Sequence, residues 1–132
     1  MNDDDRPDAW KRGFAARSQV LGEAYVRKAF ADAEADPFGR DLQDYVTEHA
    51  WGASWARPGL DFRTRSMLNL AMLTALNRPH EFEIHLRGAI RNGVTRDEVK
   101  EILIQTAVYC GAPAALDSFR IAKKVFAEVA SE

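Results

Sequence analysis

The run DFRTRSMLNLAMLTALNRPHEFEIHLRGAIRNGVTRDEVKEILIQTAVYC, residues 61–110, decides the fold class, because it carries its own helix boundaries. Asp61 offers a side-chain oxygen to the open N–H groups of a helix that starts at Phe62 and runs to about Asn77. Proline suits a first helical turn and no helix interior, so Asn77-Arg78-Pro79 ends that helix and opens the next. The second helix of the run reaches Arg91, where Asn92-Gly93 supplies a common helix stop. Thr95 and Glu98 then have the spacing of a capping box, and the helix they start ends at Cys110.

Outward from this run the reading stays helical. Gly111-Ala112-Pro113 separates a last helix that ends near the carboxyl terminus. On the other side, a helix from Pro7 to Val20 carries Trp10, Phe14, Arg17 and Leu21 at spacings of three and four. Gly22 breaks it, and a helix from about Glu23 to Glu34 follows, with Tyr25, Val26, Ala29 and Phe30 on its apolar side. Asp36-Pro37 restarts the chain into a helix over Phe38 to Ala50, with Leu42, Tyr45, Val46 and His49 on one face. Residues 51–60, WGASWARPGL, read as irregular. With no strand-like alternation and no repeat, the expectation is all-α. It takes the form of one domain over residues 1–132, with about six to seven helices and a disordered start at residues 1–5.

Two of these helices are apolar almost all round: Met67 to Leu76 and Val99 to Val108 leave little polar face. Such a helix must be buried on all sides. Either it is covered between subunits, or the two form a central hairpin covered by the rest of the chain.

Composition narrows the function. The 132 residues carry 18 Lys and Arg against 20 Asp and Glu, a net charge of −2, which lacks the basic excess of a nucleic-acid binder. The amino terminus is acidic where a secretory signal is basic, and Leu68–Leu76 is too short to cross a bilayer. A cytoplasmic protein without membrane or nucleic-acid partners is expected. A single cysteine, Cys110, excludes an internal disulfide and a CxxC motif, and no set of residues has metal-ligand spacing. As a lone thiol in an apolar helix, Cys110 is expected to be a small buried hydrophobe.

Arg78, Glu81 and His85 sit at offsets of three and four on the helix that begins near Pro79, and so share one face. Glu81 there can hold the His85 ring and support its charged form, as a general acid requires. Arg78 adds its charge to the positive helix start and favours an anion. The plain alternative is a surface pair worth about 0.3 kcal/mol to the helix. His80 is expected at the surface, and His49 in the core. A second constellation is Trp51, Trp55 and Arg57, either the wall of a site or packing anchors. Arg63 and Arg65 lie in the first turn of a helix, where cations oppose the dipole, so an anion or an acidic neighbour is needed.

The segments AWG-x-x-W-x-RPGLD, NGVTRDE and YCG-x-PAA, within His49 to Ala115, resemble the carboxymuconolactone decarboxylase family; Gln19-Val20-Leu21-Gly22 and Tyr25-Val26 fit it too. The resemblance implies an alkylhydroperoxidase-like helical fold and a ring-shaped homo-oligomer, a hexamer or trimer. It implies cofactor-free conversion of 4-carboxymuconolactone to 3-oxoadipate enol-lactone and carbon dioxide, in the protocatechuate branch of the beta-ketoadipate pathway. Redox members of the wider superfamily carry Glu, then Cys-x-x-Cys, then His. Laid on this chain those positions are Ser66, Arg78, Glu81 and His85, so only the histidine is kept. The resemblance thereby makes His85 the proton donor and Glu81 its partner. Arg57, Arg65 and Arg78 become substrate-carboxylate anchors, and Trp51 and Trp55 exclude water. A non-catalytic oligomer of the same fold and a peroxidase-related redox protein are the alternatives.

Overall fold

The computed structural model describes residues 2–131. Among them are seven α-helices, a π-helical segment and a short 3-10 turn, with no strand. The all-helical expectation holds. The chain divides into two compact units, Met1–Leu60 and Asp61–Glu132.

The amino-terminal unit holds α1 (Asp8–Leu21), α2 (Glu23–Ala35), α3 (Pro37–Tyr45) and the π-helix Val46–Trp55. Asp36 caps α3 by accepting from the Phe38 N–H at 3.0 Å, with Pro37 in the first turn. Two sequence expectations change here. Residues 51–55 are helical rather than irregular, and the Ala56 N–H reaches back five residues to the Trp51 carbonyl at 2.9 Å. Asp3–Asp5, expected to be disordered, forms one exposed 3-10 turn, and Met1 lies outside the described residues.

What fixes the π-helix is its contact with α1. A Cβ placed on Gly13 would fall 1.8 Å from the Thr47 carbonyl oxygen, and one on Gly52 would fall 2.0 Å from that of Ala9. Two glycines thus let two backbones touch. Beside them the buried Arg17 donates to Gln43 Oε1 at 2.8 Å and to Thr47 Oγ1 at 3.2 Å, while Thr47 donates to the Gln43 carbonyl at 2.7 Å. Trp10 stacks on Phe14 with ring centroids 5.2 Å apart and donates to Asp44 at 3.1 Å.

α3 and the start of the π-helix therefore meet α1 through Gln43, Asp44 and Thr47, their polar side. The apolar row of α3 turns outward, leaving Phe38, Leu42 and Tyr45 exposed. His49, expected in the core, is exposed in the same row and packs against the Tyr45 ring at 4.4 Å.

The carboxyl-terminal unit holds α4 (Phe62–Ala75), α5 (Pro79–Arg91), α6 (Arg96–Cys110) and α7 (Ala112–Ala130). The caps read from the sequence are present. Asp61 accepts from the Thr64 N–H at 2.7 Å, and Thr95 and Glu98 bond each other's backbone N–H at 3.1 and 2.9 Å. Gly111 turns the chain from α6 into α7 at φ 99°, a conformation side chains resist. The core gathers Leu70, Phe82, Leu86, Val99, Leu103 and Val125. A buried hydroxyl pair, Thr74 and Ser118 at 2.8 Å, ties α4 to α7.

The two apolar helices are not buried all round within the chain. Leu68 and Met72, one turn apart on α4, and Leu76 just past its end are 48, 52 and 62% exposed. Ile104 and Val108 do the same on α6, Leu116 and Phe119 on α7. Within the carboxyl-terminal unit, α5 and α7 leave these rows uncovered. Cys110, expected to be buried, is exposed at the end of α6.

Candidate functional site

Within the carboxyl-terminal unit α4 and α5 form a helical hairpin across residues 76–78. Its cross-contacts recede from the turn in antiparallel order. Asn69 meets His85, and further out Asn92 donates to Ser66 Oγ at 2.9 Å. Ser66, where redox members of the wider superfamily carry glutamate, is fully buried in that bond.

His85 is 9% exposed, on the same side of α5 as the core residues Phe82, Leu86 and Ala89. Burial limits the ways the ring can sit, and the Asn69 Nδ2 atom lies 3.5 Å from its Nδ1. Sequence reading missed Asn69. It is a polar residue inside the apolar run 67–76, and that interruption was its signal. Such a residue, partly buried on α4, needs a partner.

Glu81 lies one turn before His85 on α5 and is exposed, as is His80 in the first turn. Arg65 lies one turn before Asn69 on α4 and is partly buried. Arg78, exposed, turns its guanidinium to the Leu76 carbonyl at 3.3 Å, at the electron-rich end of α4. It lines a hollow of about 180 Å³ with Thr74, Asn77, Asp117 and Ser118.

The other first-turn arginine of α4 has a partner of its own. Arg63 forms an ion pair with Glu98, which also closes the capping box of α6. The required acidic neighbour is therefore present. That guanidinium, helped by the Thr95 backbone N–H, holds the Glu98 carboxyl down at about 2.

In the amino-terminal unit Trp51 and Trp55 lie on the π-helix, both buried, with their rings stacked at 4.7 Å and 22°. Arg57 follows just beyond the helix and is exposed. Among the described residues no group of three His, Cys, Asp or Glu side chains could hold a metal ion. No helix among them is long and apolar enough to cross a membrane.

A buried imidazole with an amide at one ring nitrogen has the chemistry to give or take a proton. The chain is 39% identical to a 4-carboxymuconolactone decarboxylase of Acinetobacter baylyi, over 98% of this chain and 92% of the relative. It is 40% identical to a nitrosuccinic acid decarboxylase of Metarhizium robertsii, over 93% of this chain and 85% of that one. An uncharacterised 15.0 kDa protein of Paracoccus denitrificans is 33% identical over 63% of each chain. The sequence pattern of one family covers residues 40–124, from α3 to most of α7, and takes in the hairpin with Asn69 and His85. By that match and by its near full-length relatives, the chain belongs to the carboxymuconolactone decarboxylase family.

Proposed function

We propose that this protein decarboxylates 4-carboxymuconolactone to 3-oxoadipate enol-lactone and carbon dioxide, in the protocatechuate branch of the beta-ketoadipate pathway. The observation that carries the reading is the near full-length likeness to a decarboxylase of that name. The substrate's chemistry fits a protein with few catalytic groups. Its departing carboxylate sits on a carbon conjugated, through the ring double bond, to the lactone carbonyl. Electrons left by carbon dioxide flow into that carbonyl, so the substrate supplies its own electron sink. The enzyme has to anchor two carboxylates, stabilise the oxyanion and return one proton to carbon.

In this reading His85 is the proton donor and Glu81, a turn away on α5, supports its charge. Arg65 and Arg78 on the hairpin anchor carboxylates, bidentate where geometry allows. Arg57, Trp51 and Trp55 in the amino-terminal unit are assigned to substrate binding and water exclusion on the family resemblance alone. Purified protein is expected to release one carbon dioxide per lactone consumed. Absence of turnover in the folded protein would leave a non-catalytic oligomer of the same fold.

A second substrate has support from the Metarhizium robertsii relative, named for nitrosuccinic acid. That compound is also a dicarboxylate with its own sink, because a nitro group beside the departing carboxyl accepts the electron pair as a nitronate. Assaying the lactone and nitrosuccinate side by side separates the two, and the larger kcat/KM identifies the substrate.

We further propose that the chain works as a ring-shaped homo-oligomer, a hexamer or trimer, in the cytoplasm. The exposed apolar rows on α4, α6 and α7, and separately on α3, support the oligomer, since large apolar side chains left in water in such number mark interaction surfaces.

A further inference from the structure

We propose that Asn69 is the positioning residue of the His85 ring: its side-chain amide holds Nδ1 and makes Nε2 the nitrogen that works on the substrate. The 3.5 Å approach of Nδ2 to Nδ1 joins the middle of α4 to the middle of α5, both inside one compact unit. The pairing joins two features of the hairpin. A lone asparagine interrupts an apolar run on α4, and an imidazole lies 9% exposed on the core-facing side of α5. Each answers the other's need for a hydrogen-bond partner.

An amide differs from a carboxylate in this position. It carries a donor and an acceptor and no charge, so it serves either state of the ring. Nδ2–H donates to an unprotonated Nδ1, which selects the neutral ring with its hydrogen on Nε2. Turned over, Oδ1 accepts from Nδ1–H of the imidazolium. In the reaction proposed above, the Nε2–H bond of the imidazolium breaks and a C–H bond forms at the substrate's α carbon. The ring is left neutral with its hydrogen on Nδ1, held by Oδ1. A solvent proton then returns to Nε2, so one proton is consumed for each carbon dioxide released. The catalytic meaning of the pairing rests on the proposed role of His85; the pairing itself does not.

Charged side chains flank the pair along both helices. Arg65 is one turn from Asn69 on α4, and Glu81 one turn from His85 on α5. On the α7 side, Lys124 and Glu128 are engaged by Glu83 and Arg87.

The test uses the full chain with Asn69→Asp and Asn69→Leu, each checked for folding by circular dichroism. Ring nitrogens are followed by ¹⁵N NMR across pH, with His49→Gln and His80→Gln to assign signals, and kcat and KM are measured across the same range. Asn69→Asp should move the neutral ring's proton to Nδ1 and raise the His85 midpoint by about one pH unit or more. The alkaline limb of kcat should move the same way. Asn69→Leu should lower kcat by ~10-fold or more, with a much smaller change in KM. If Asn69→Asp does not fold, the tautomer shift in Asn69→Leu decides. Unchanged His85 tautomer and midpoint in the folded variants overturns the proposal. Altered ring signals in a protein without lactone turnover would support the pairing and overturn the decarboxylase reading instead.

Discussion

Gly13 of α1 and Gly52 of the π-helix meet backbone to backbone. A Cβ added to Gly13 would lie 2.6 Å from the Gly52 nitrogen as well as against the Thr47 carbonyl. No side chain stands at either contact, so nothing flexible can move aside. Gly13→Ala and Gly52→Ala are each expected to destabilise the protein by about 2 kcal/mol or more, as overpacked sites do. Gly59→Ala, with open space around its position, is the control expected to stay near wild type. Thermal unfolding of the three variants checks this.

The Arg63–Glu98 pair contributes to the acid response of the carboxyl-terminal unit. Glu98 titrates at about 2 in the folded chain against 4.5 for an ordinary glutamate. A carboxyl whose folded value is depressed adds stability above the unfolded value and loses it as pH falls toward the folded one. Its contribution should therefore be complete above about pH 4.5 and fade between there and about pH 2. Glu83 and Asp61 act in the same direction. Burial works against the Glu83 charge, but hydrogen bonds from Arg87 and Lys124 outweigh it; the Thr64 N–H lowers Asp61. Melting temperatures of wild type and Glu98→Gln should differ at neutral pH and converge through that window. A constant gap down to pH 2 would contradict the assignment.

The exposed rows make a separate prediction about assembly. Val108 is 76% exposed in the single chain, where a charge costs a monomer little, within ~0.5 kcal/mol. In an oligomer that covers α6 the same charge is buried. Val108→Glu is therefore expected to dissociate the assembly while helix content is kept. Light scattering coupled to size exclusion reads the mass, and an unchanged mass for the variant would place the interface elsewhere.

Much of the fold was legible because its boundaries are local. The side chains of Asp61, Thr95 and Glu98 satisfy open N–H groups within their own helix, and Pro37, Pro79 and Gly111 act through their own backbone angles. The π-helix was not legible, because what sustains it is the touch of Gly13 on Thr47 and Gly52, far away in sequence. The direction of α3 misled for a related reason. Its apolar row is the stronger pattern, yet Arg17 captures Gln43 and Thr47 and turns that row outward. At the candidate site, helical spacing set Glu81 beside His85 on α5 but could not show Asn69. The neighbour at Nδ1 comes from the other helix, and no spacing along one helix could supply it.

The central claim, decarboxylation with His85 as the acid, is tested most directly by carbon dioxide release from 4-carboxymuconolactone. Wild type and His85→Gln are compared at equal concentration of folded protein. The expected result is one carbon dioxide per lactone for wild type, with kcat reduced by ~100-fold or more in the variant. Turnover in His85→Gln close to wild type would contradict the role of His85. No release by folded wild type would contradict the activity itself.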